Sequence, residues 1–387
     1  MEYRTRFVAL AVPVLLTGVA EAQSLSITPL GRIPGWDYAR VVSISGDGQY
    51  AVGITYNPST LPRAARWSTD GAAPTLMLPH PIGTIETAPT CSGDGSVVFG
   101  SWNSSSRGFR WTESGGSSDI QAPTGRLFRG VHSVSDDGTR GVGHASGTSP
   151  GGPNPPLPPA PCLWTLQSGV QLIDIPAGHA DAQLVRISPD GGTAVGYLTP
   201  TSTGLRVPAT WSESGGWRML PMIPGADFAG GTLVSSGGTV AVMSGMSQGF
   251  FVAARWTEEG GTVPITSPAV TGDIHFNGMS ADGSVLVGQG QLAQGGGAVL
   301  WTPDTGLVLL DDYLSSLGLD LTGWSLLGAM DVSNDGRTIV GTGVQFFPDG
   351  TFRSAEWVVT VPTPPAALIA GCALICGAAR RKRFNNA

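Results

Sequence analysis

Three features of the chain predict an all-β protein folded as a seven-bladed β-propeller. Glycine (57) and proline (30) are abundant while charged residues make up 13%, a composition of many turns between short apolar runs. A Ser-x-Asp-Gly motif recurs at Ser45–Gly48, Ser92–Gly95, Ser135–Gly138, Ser188–Gly191, Ser280–Gly283 and Ser333–Gly336, with a degenerate copy at Ser235–Gly238. A tryptophan follows each copy: Trp67, Trp111, Trp164, Trp211, Trp256, Trp301 and Trp357, spaced 44 to 56 residues apart. Self-similarity at such a period is the mark of a repeat architecture.

Each element of the repeat has a physical reading. Asp-Gly between two apolar runs signals a hairpin, because glycine accepts positive φ and aspartate bonds nearby backbone. Five residues beyond the turn stands another glycine, Gly53, Gly100, Gly143, Gly196, Gly288 or Gly341, with Met243 in the degenerate copy. A third strand ends on the tryptophan, as in Ala64-Ala65-Arg66-Trp67. A fourth follows a Gly-rich turn, as in Gly169 to Ile175 and Gly216 to Ile223. Four short strands in this length make one propeller blade. The tryptophan supplies the large apolar surface that packs blade on blade, so Trp211 is expected to matter more than Trp217, which lies outside the register.

The ends of the repeat predict how the ring closes. A glycine stands 12 residues before the turn position at Gly35, Gly125, Gly178, Gly225 and Gly323. The strand that leads into Gly35, Leu25 to Ile33, has no tryptophan strand of its own, and Trp357 is followed by no fourth strand. The N-terminal strand is therefore expected to complete the last blade and remove a free sheet edge. The alternatives are an open β-repeat solenoid or a split into two domains. Two insertions interrupt the period. Gly147 to Pro161 reads as a Pro/Gly-rich surface loop. Asp311 to Gly318 reads as a short helix over a blade edge, with Asp311 as N-cap, Leu314 and Leu317 on one face and Gly318 at the C-cap.

The two termini read as processing signals. Arg4 and Arg6, the apolar run Phe7 to Leu16 and Ala20-Glu21-Ala22 form an export signal over residues 1–22. That run is too short to span a bilayer. At the other end, Val361-Pro362-Thr363-Pro364-Pro365 precedes the apolar stretch Ala366 to Ala379 and the basic tip Arg380-Arg381-Lys382-Arg383. This three-part pattern over residues 363–387 resembles the PEP-CTERM sorting signals of Gram-negative bacteria. The resemblance implies cleavage by an exosortase-type peptidase and delivery to the cell surface or matrix. Thr363 stands where that family has Glu. A plain C-terminal transmembrane anchor shares the same topology. The repeat domain is thus expected over residues 23–362.

The copies resemble HAF-type extracellular repeats. The resemblance rests on Ser92-Gly93-Asp94-Gly95-Ser96-Val97-Val98, on Phe109-Arg110-Trp111-Thr112-Glu113-Ser114-Gly115-Gly116 and on Asp311-Asp312-Tyr313-Leu314 through Leu321-Thr322-Gly323-Trp324, then Val332 to Gly341. It implies surface export and a repeat fold, and brings no catalytic residues.

Charge and chemistry narrow the function. Residues 23–363 hold 15 of the 21 basic and 26 of the 28 acidic residues, a net charge of −11. An acidic body without basic clusters makes nucleic acid or an anionic membrane surface a poor partner. Gly-x-Ser-x-Gly occurs at Gly147–Gly151 and Gly245–Gly249, but neither precedes the helix that a nucleophile elbow requires. His80, His132, His144, His179 and His275 are scattered without metal-ligand spacing. The turn aspartates lack the ligand string of a calcium loop. Cys91 and Cys162 fill slots taken elsewhere by Ile44 or Val134 and by Ala65 or Phe109, so they read as buried thiols rather than a disulfide. No catalytic, cofactor or metal residue is assigned. The expected function is an exported surface or matrix protein that binds glycan or protein through a propeller face. The alternative is a propeller glycosidase or lyase acting on extracellular polysaccharide, for which carboxylates outside the repeat register would converge at one end of the channel.

Overall fold

A computed structural model describes residues 25–57, 60–77, 85–102, 107–147 and 159–361. The proposed signals at 1–22 and 363–387, His80 and most of the Pro/Gly insertion lie outside the described residues. The body is all β apart from one helix and one short 3-10 turn. It forms seven four-stranded antiparallel sheets, each a blade. The innermost strands are Tyr38–Ile44, Ile85–Cys91, Leu127–Val134, His179–Ile187, Phe228–Val234, Val270–Met279 and Trp324–Val332. They touch their neighbours all the way round, the seventh meeting the first, which makes a closed seven-bladed propeller rather than a solenoid or two domains.

The seventh blade is completed from the N-terminus. Ser26–Pro29 pairs antiparallel with Phe352–Thr360, Ser26 opposite Thr360 and Pro29 opposite Trp357. This strand is shorter than the expected Leu25–Ile33, because Pro34-Gly35 begins the turn into the first blade: Trp36 N–H donates to Ile33 C=O (3.1 Å) and Gly35 takes φ 82°. The fourth strands are also shorter than expected, ending at Leu172 and Met219, and Ala160–Pro161 belong to the third strand of the third blade rather than to the insertion.

The core lies between blades. Trp67 packs on Val340 and Val358 of the seventh blade, and Trp111 packs on Val52 and Ala64 of the first. Each reaches back to the preceding blade, as its place at the end of a third strand requires. Trp67, Trp111, Trp164, Trp256 and Trp357 are buried. Trp211 and Trp301 are half-buried. Trp217 faces Trp211 across the third and fourth strands and joins the same cluster, so the expected contrast between the two is not supported by their packing. Arg66, one residue before its tryptophan, runs forward instead. Its guanidinium donates to Gly95 C=O (3.0 Å) and to Glu113 (2.8 Å), and lies over the Trp111 ring. The helix is Leu310–Ser316, starting two residues earlier than an Asp311 N-cap implies. Leu309 rather than Asp311 is its N-cap, and the buried pair is Leu310 and Leu314 while Leu317 is exposed. Leu310 and Leu314 fill the seam between the sixth and seventh blades.

Candidate functional site: the axial channel

The hairpins at the ends of the innermost strands close one end of the channel. In each regular copy the turn aspartate accepts from the turn serine hydroxyl at 2.5–2.7 Å, for example Ser45 to Asp47 and Ser188 to Asp190. The serine oxygen in turn accepts a backbone N–H five residues on, Tyr50 in the first blade (2.9 Å). The Ser92 hydroxyl, first among several hydrogen bonds, holds the Asp94 carboxyl below the usual range. These carboxylates are occupied by their own turns.

The residues between serine and aspartate form a collar of backbone hydrogen bonds. Gly93 N–H donates to Asp136 C=O, Asp136 to Pro189, Ser236 to Ala281, Ala281 to Asn334 and Asn334 to Gly46, all at 2.7–2.9 Å. Asp47 N–H, rather than Gly46, donates to Gly93 C=O. Pro189 has no N–H to offer, and there the Asp190 carboxylate accepts Gly237 N–H (2.8 Å) to continue the collar. Across the collar, Asn334 of the seventh blade donates to Asp136 of the third at 2.6 Å. A side chain at Gly46 would collide with Asn334.

Beneath the collar lies a small chamber of about 80 Å³, lined among others by Ser43, Thr90, Ser133, Arg186 and Asp331. These five occupy one slot of the repeat, four residues before the turn aspartate. The slot seals the inner wall: Ser133 accepts Ile187 N–H of the next blade (3.2 Å), and Asp331 accepts both Ile44 N–H (3.2 Å) and the Ser43 hydroxyl (2.8 Å). Burial pushes the Asp331 carboxyl up, against the pull of Arg186 and these hydrogen bonds.

Above the chamber a vestibule of about 440 Å³ extends toward the end where the innermost strands begin. Arg186 lines both spaces, and its guanidinium donates to Asn277 C=O of the sixth blade at 2.6 Å. The vestibule wall carries Arg40, His132, Gln183, Thr232 and Asn277, with no carboxylate among its described lining residues. His132 Nε2 lies 3.2 Å from His144 Nδ1. Burial, then the neighbouring His144, lowers the His132 pKa to about 4.

Sequence reading missed most of this site. His132 and His144 stand 12 residues apart and read as scattered, yet they sit on adjoining strands of one hairpin, beside the Val131–Gly143 pair. The signal was available in the repeat register. So was the slot in which Arg186 and Asp331 stand where the first three copies have Ser or Thr. The second Gly-x-Ser-x-Gly proves to be a strand end and turn, with Ser247 donating to Gly225 C=O (2.9 Å). Of the first, only Gly147 lies within the described residues. Cys91 and Cys162 are buried free thiols, as their apolar slots predict. Among the described residues no group of three or more His, Cys, Asp or Glu is placed to hold a metal ion, and no helix is long and apolar enough to cross a membrane.

No protein-family model matches the chain, and no curated protein matches it. Solved structures match in fold. The chain is similar to an oligogalacturonate lyase in complex with manganese at 14% identity and TM-score 0.54, covering 87% of this chain and 98% of that one. The oligogalacturonate lyase of Vibrio parahaemolyticus gives 12% and 0.55, covering 87% and 93%. The β-propeller domain of the Trilobed protease from Pyrococcus furiosus gives 10% and 0.53, covering 83% and 96%. That domain is described as having an open velcro topology; here Ser26–Pro29 pairs with the last blade instead. TolB from Acinetobacter baumannii gives 18% identity and TM-score 0.46, over 67% of this chain and 62% of that one. At these identities the likeness is one of propeller fold.

Proposed function

We propose that this is an exported HAF-type surface or matrix protein whose propeller binds, without chemistry, an anionic group of an extracellular ligand in the vestibule. One observation carries the reading: Arg40 and Arg186 border a cleft whose other polar groups, among the described residues, are His132, amides and hydroxyls. Guanidinium groups beside hydrogen-bonding neutral side chains suit a carboxylate such as that of a uronic acid.

Titration calorimetry of the exported chain with a uronic-acid oligomer and its neutral counterpart tests the reading. Tight binding of the acidic oligomer alone is expected, weakened about tenfold or more by Arg40→Gln or Arg186→Gln. Equal binding of both oligomers, or no effect of either substitution, would sink it. Cleavage of the oligomer would transfer the protein to the enzyme reading. The export reading rests on residues 1–22 and 363–387, and intact-mass measurement of surface-released protein tests it. The expected product lacks both segments; a product that keeps residues 366–383 in the membrane fraction would mean a permanent anchor.

A further inference from the structure

A second groove lies outside the channel, at the seam where the seventh blade meets the first. It measures about 750 Å³, within the usual range of ligand clefts. Tyr38 and Tyr56 stand opposite each other on the first two strands of the first blade. Their rings stack with centroids 5.2 Å apart and planes 17° apart, yet they are 50% and 42% exposed. Phe352, 71% exposed, stands on the seventh-blade side. Large aromatics placed in water in one cleft mark a binding surface rather than a core.

The repeat does not require these rings. At the matching strand pairs of other blades, Asp181 faces Thr199 and Phe228 faces Met246. The tyrosine pair is therefore particular to this seam.

The polar groups around the rings define the ligand. Arg32 supplies a donor and Asp37 and Glu356 supply carboxyl groups, while Arg353 also lines the groove with its guanidinium held by Gln345 Oε1 (2.8 Å). Glu356 is itself buried; one of its oxygens accepts Val41 N–H (3.3 Å), and the residue lines the groove. The groove mixes groups of both signs, so neither sign of ion is clearly favoured. Donors and acceptors interleaved with flat rings match the two surfaces of a sugar: equatorial hydroxyls for the polar groups and the C–H face of the pyranose for the rings.

We propose that this seam groove binds a neutral polysaccharide chain stacked on Tyr38 and Tyr56, at a site separate from the channel and independent of the reading given to it. Affinity electrophoresis and titration calorimetry of the exported chain with cellohexaose, mannohexaose and xylohexaose test the proposal. At least one is expected to bind, with association weakened about tenfold or more by Tyr38→Ala or Tyr56→Ala. Arg186→Gln in the channel and Phe250→Ala, an exposed aromatic of the fifth blade, should leave binding unchanged. Thermal unfolding of each variant separates lost binding from lost fold. Four outcomes overturn the proposal: none of the three oligosaccharides binds; the double tyrosine variant, still folded, binds as before; Arg186→Gln abolishes binding; or sedimentation shows a dimer that Tyr56→Ala dissociates, which would make the face a contact between copies of the chain.

Discussion

At the scale of single residues, the register glycine and its partner show what the repeat encodes. A Cβ on Gly288 would collide with the His275 carbonyl, because the innermost strand bulges there and turns that carbonyl inward. Gly288→Ala is therefore expected to destabilise by roughly 1–3 kcal/mol; a urea midpoint equal to that of the parent would refute the close-approach account. The degenerate copy reverses the sizes: Met243 stands in the glycine slot and Gly231 faces it, where other blades have Val41, Leu184 or Phe276. The tryptophans separate by burial. Trp67→Ala is expected to cost about 3–5 kcal/mol, and Trp211→Ala less, since Trp211 is half-buried and shares its cluster with Trp217. Equal losses in denaturant titrations would contradict that ranking. Glu356 adds a pH dependence. Burial raises its pKa from 4.5 to about 7. The folded state then holds a proton that the unfolded state releases, so stability falls as pH rises between these values. Glu356→Gln removes that slope, and its gain over the parent should be larger at about pH 8 than at about pH 4.5, by up to about 3 kcal/mol. A gain independent of pH would assign the shift elsewhere. His132 acts in the other direction: its contribution is complete above its ordinary 6.5 and is lost as pH falls through about 4.

At the scale of elements, the closing strand is the informative one. Ser26–Pro29 covers the edge of Phe352–Thr360, and Leu30 N–H adds a bond to Glu356 C=O (2.8 Å). Deleting residues 23–34 removes this strand and the turn that enters the first blade, and bares a sheet edge that can pair with another molecule. The shortened protein should melt at a lower temperature and elute as larger species in size-exclusion chromatography. An unchanged midpoint with a monomeric profile would show that closure depends on other contacts, of which the inner collar is the first candidate. Such a result is what a frayed terminal strand would give.

At the scale of the whole molecule, the ring is closed twice. The outer closure is the strand pairing just described. The inner one is the collar, where Asn334 N–H donates to Gly46 C=O across the same seam. Because Ser26 stands opposite Thr360, Leu25 and Val361 emerge side by side. A circular permutant that joins them by a short linker, and opens the chain at the exposed turn of residues 303–305, should keep the fold and melt within a few degrees of the parent. A permutant that unfolds or aggregates would mean that the order of strand addition, and not ring closure itself, specifies the structure.

The blade count, the hairpins, the tryptophan strands, the buried thiols and the closing strand could all be read from the chain alone, because each follows from local chemistry repeated in register. The glycine of each Ser-x-Asp-Gly copy takes positive φ and closes the same hairpin, and the slot of Cys91 stays apolar in every blade. The tertiary structure decided what depends on residues that meet only when the ring forms. Asp136 reaches Asn334 across 198 residues and Ser43 reaches Asp331 across 288; the Tyr38–Tyr56 pair forms within one hairpin, but the groove beside it is walled only when Phe352 arrives from the other end of the chain. Repetition makes the scaffold readable from any one copy. Both candidate sites are built where copies differ, and a ring brings such differences together by its curvature rather than by their spacing in the chain.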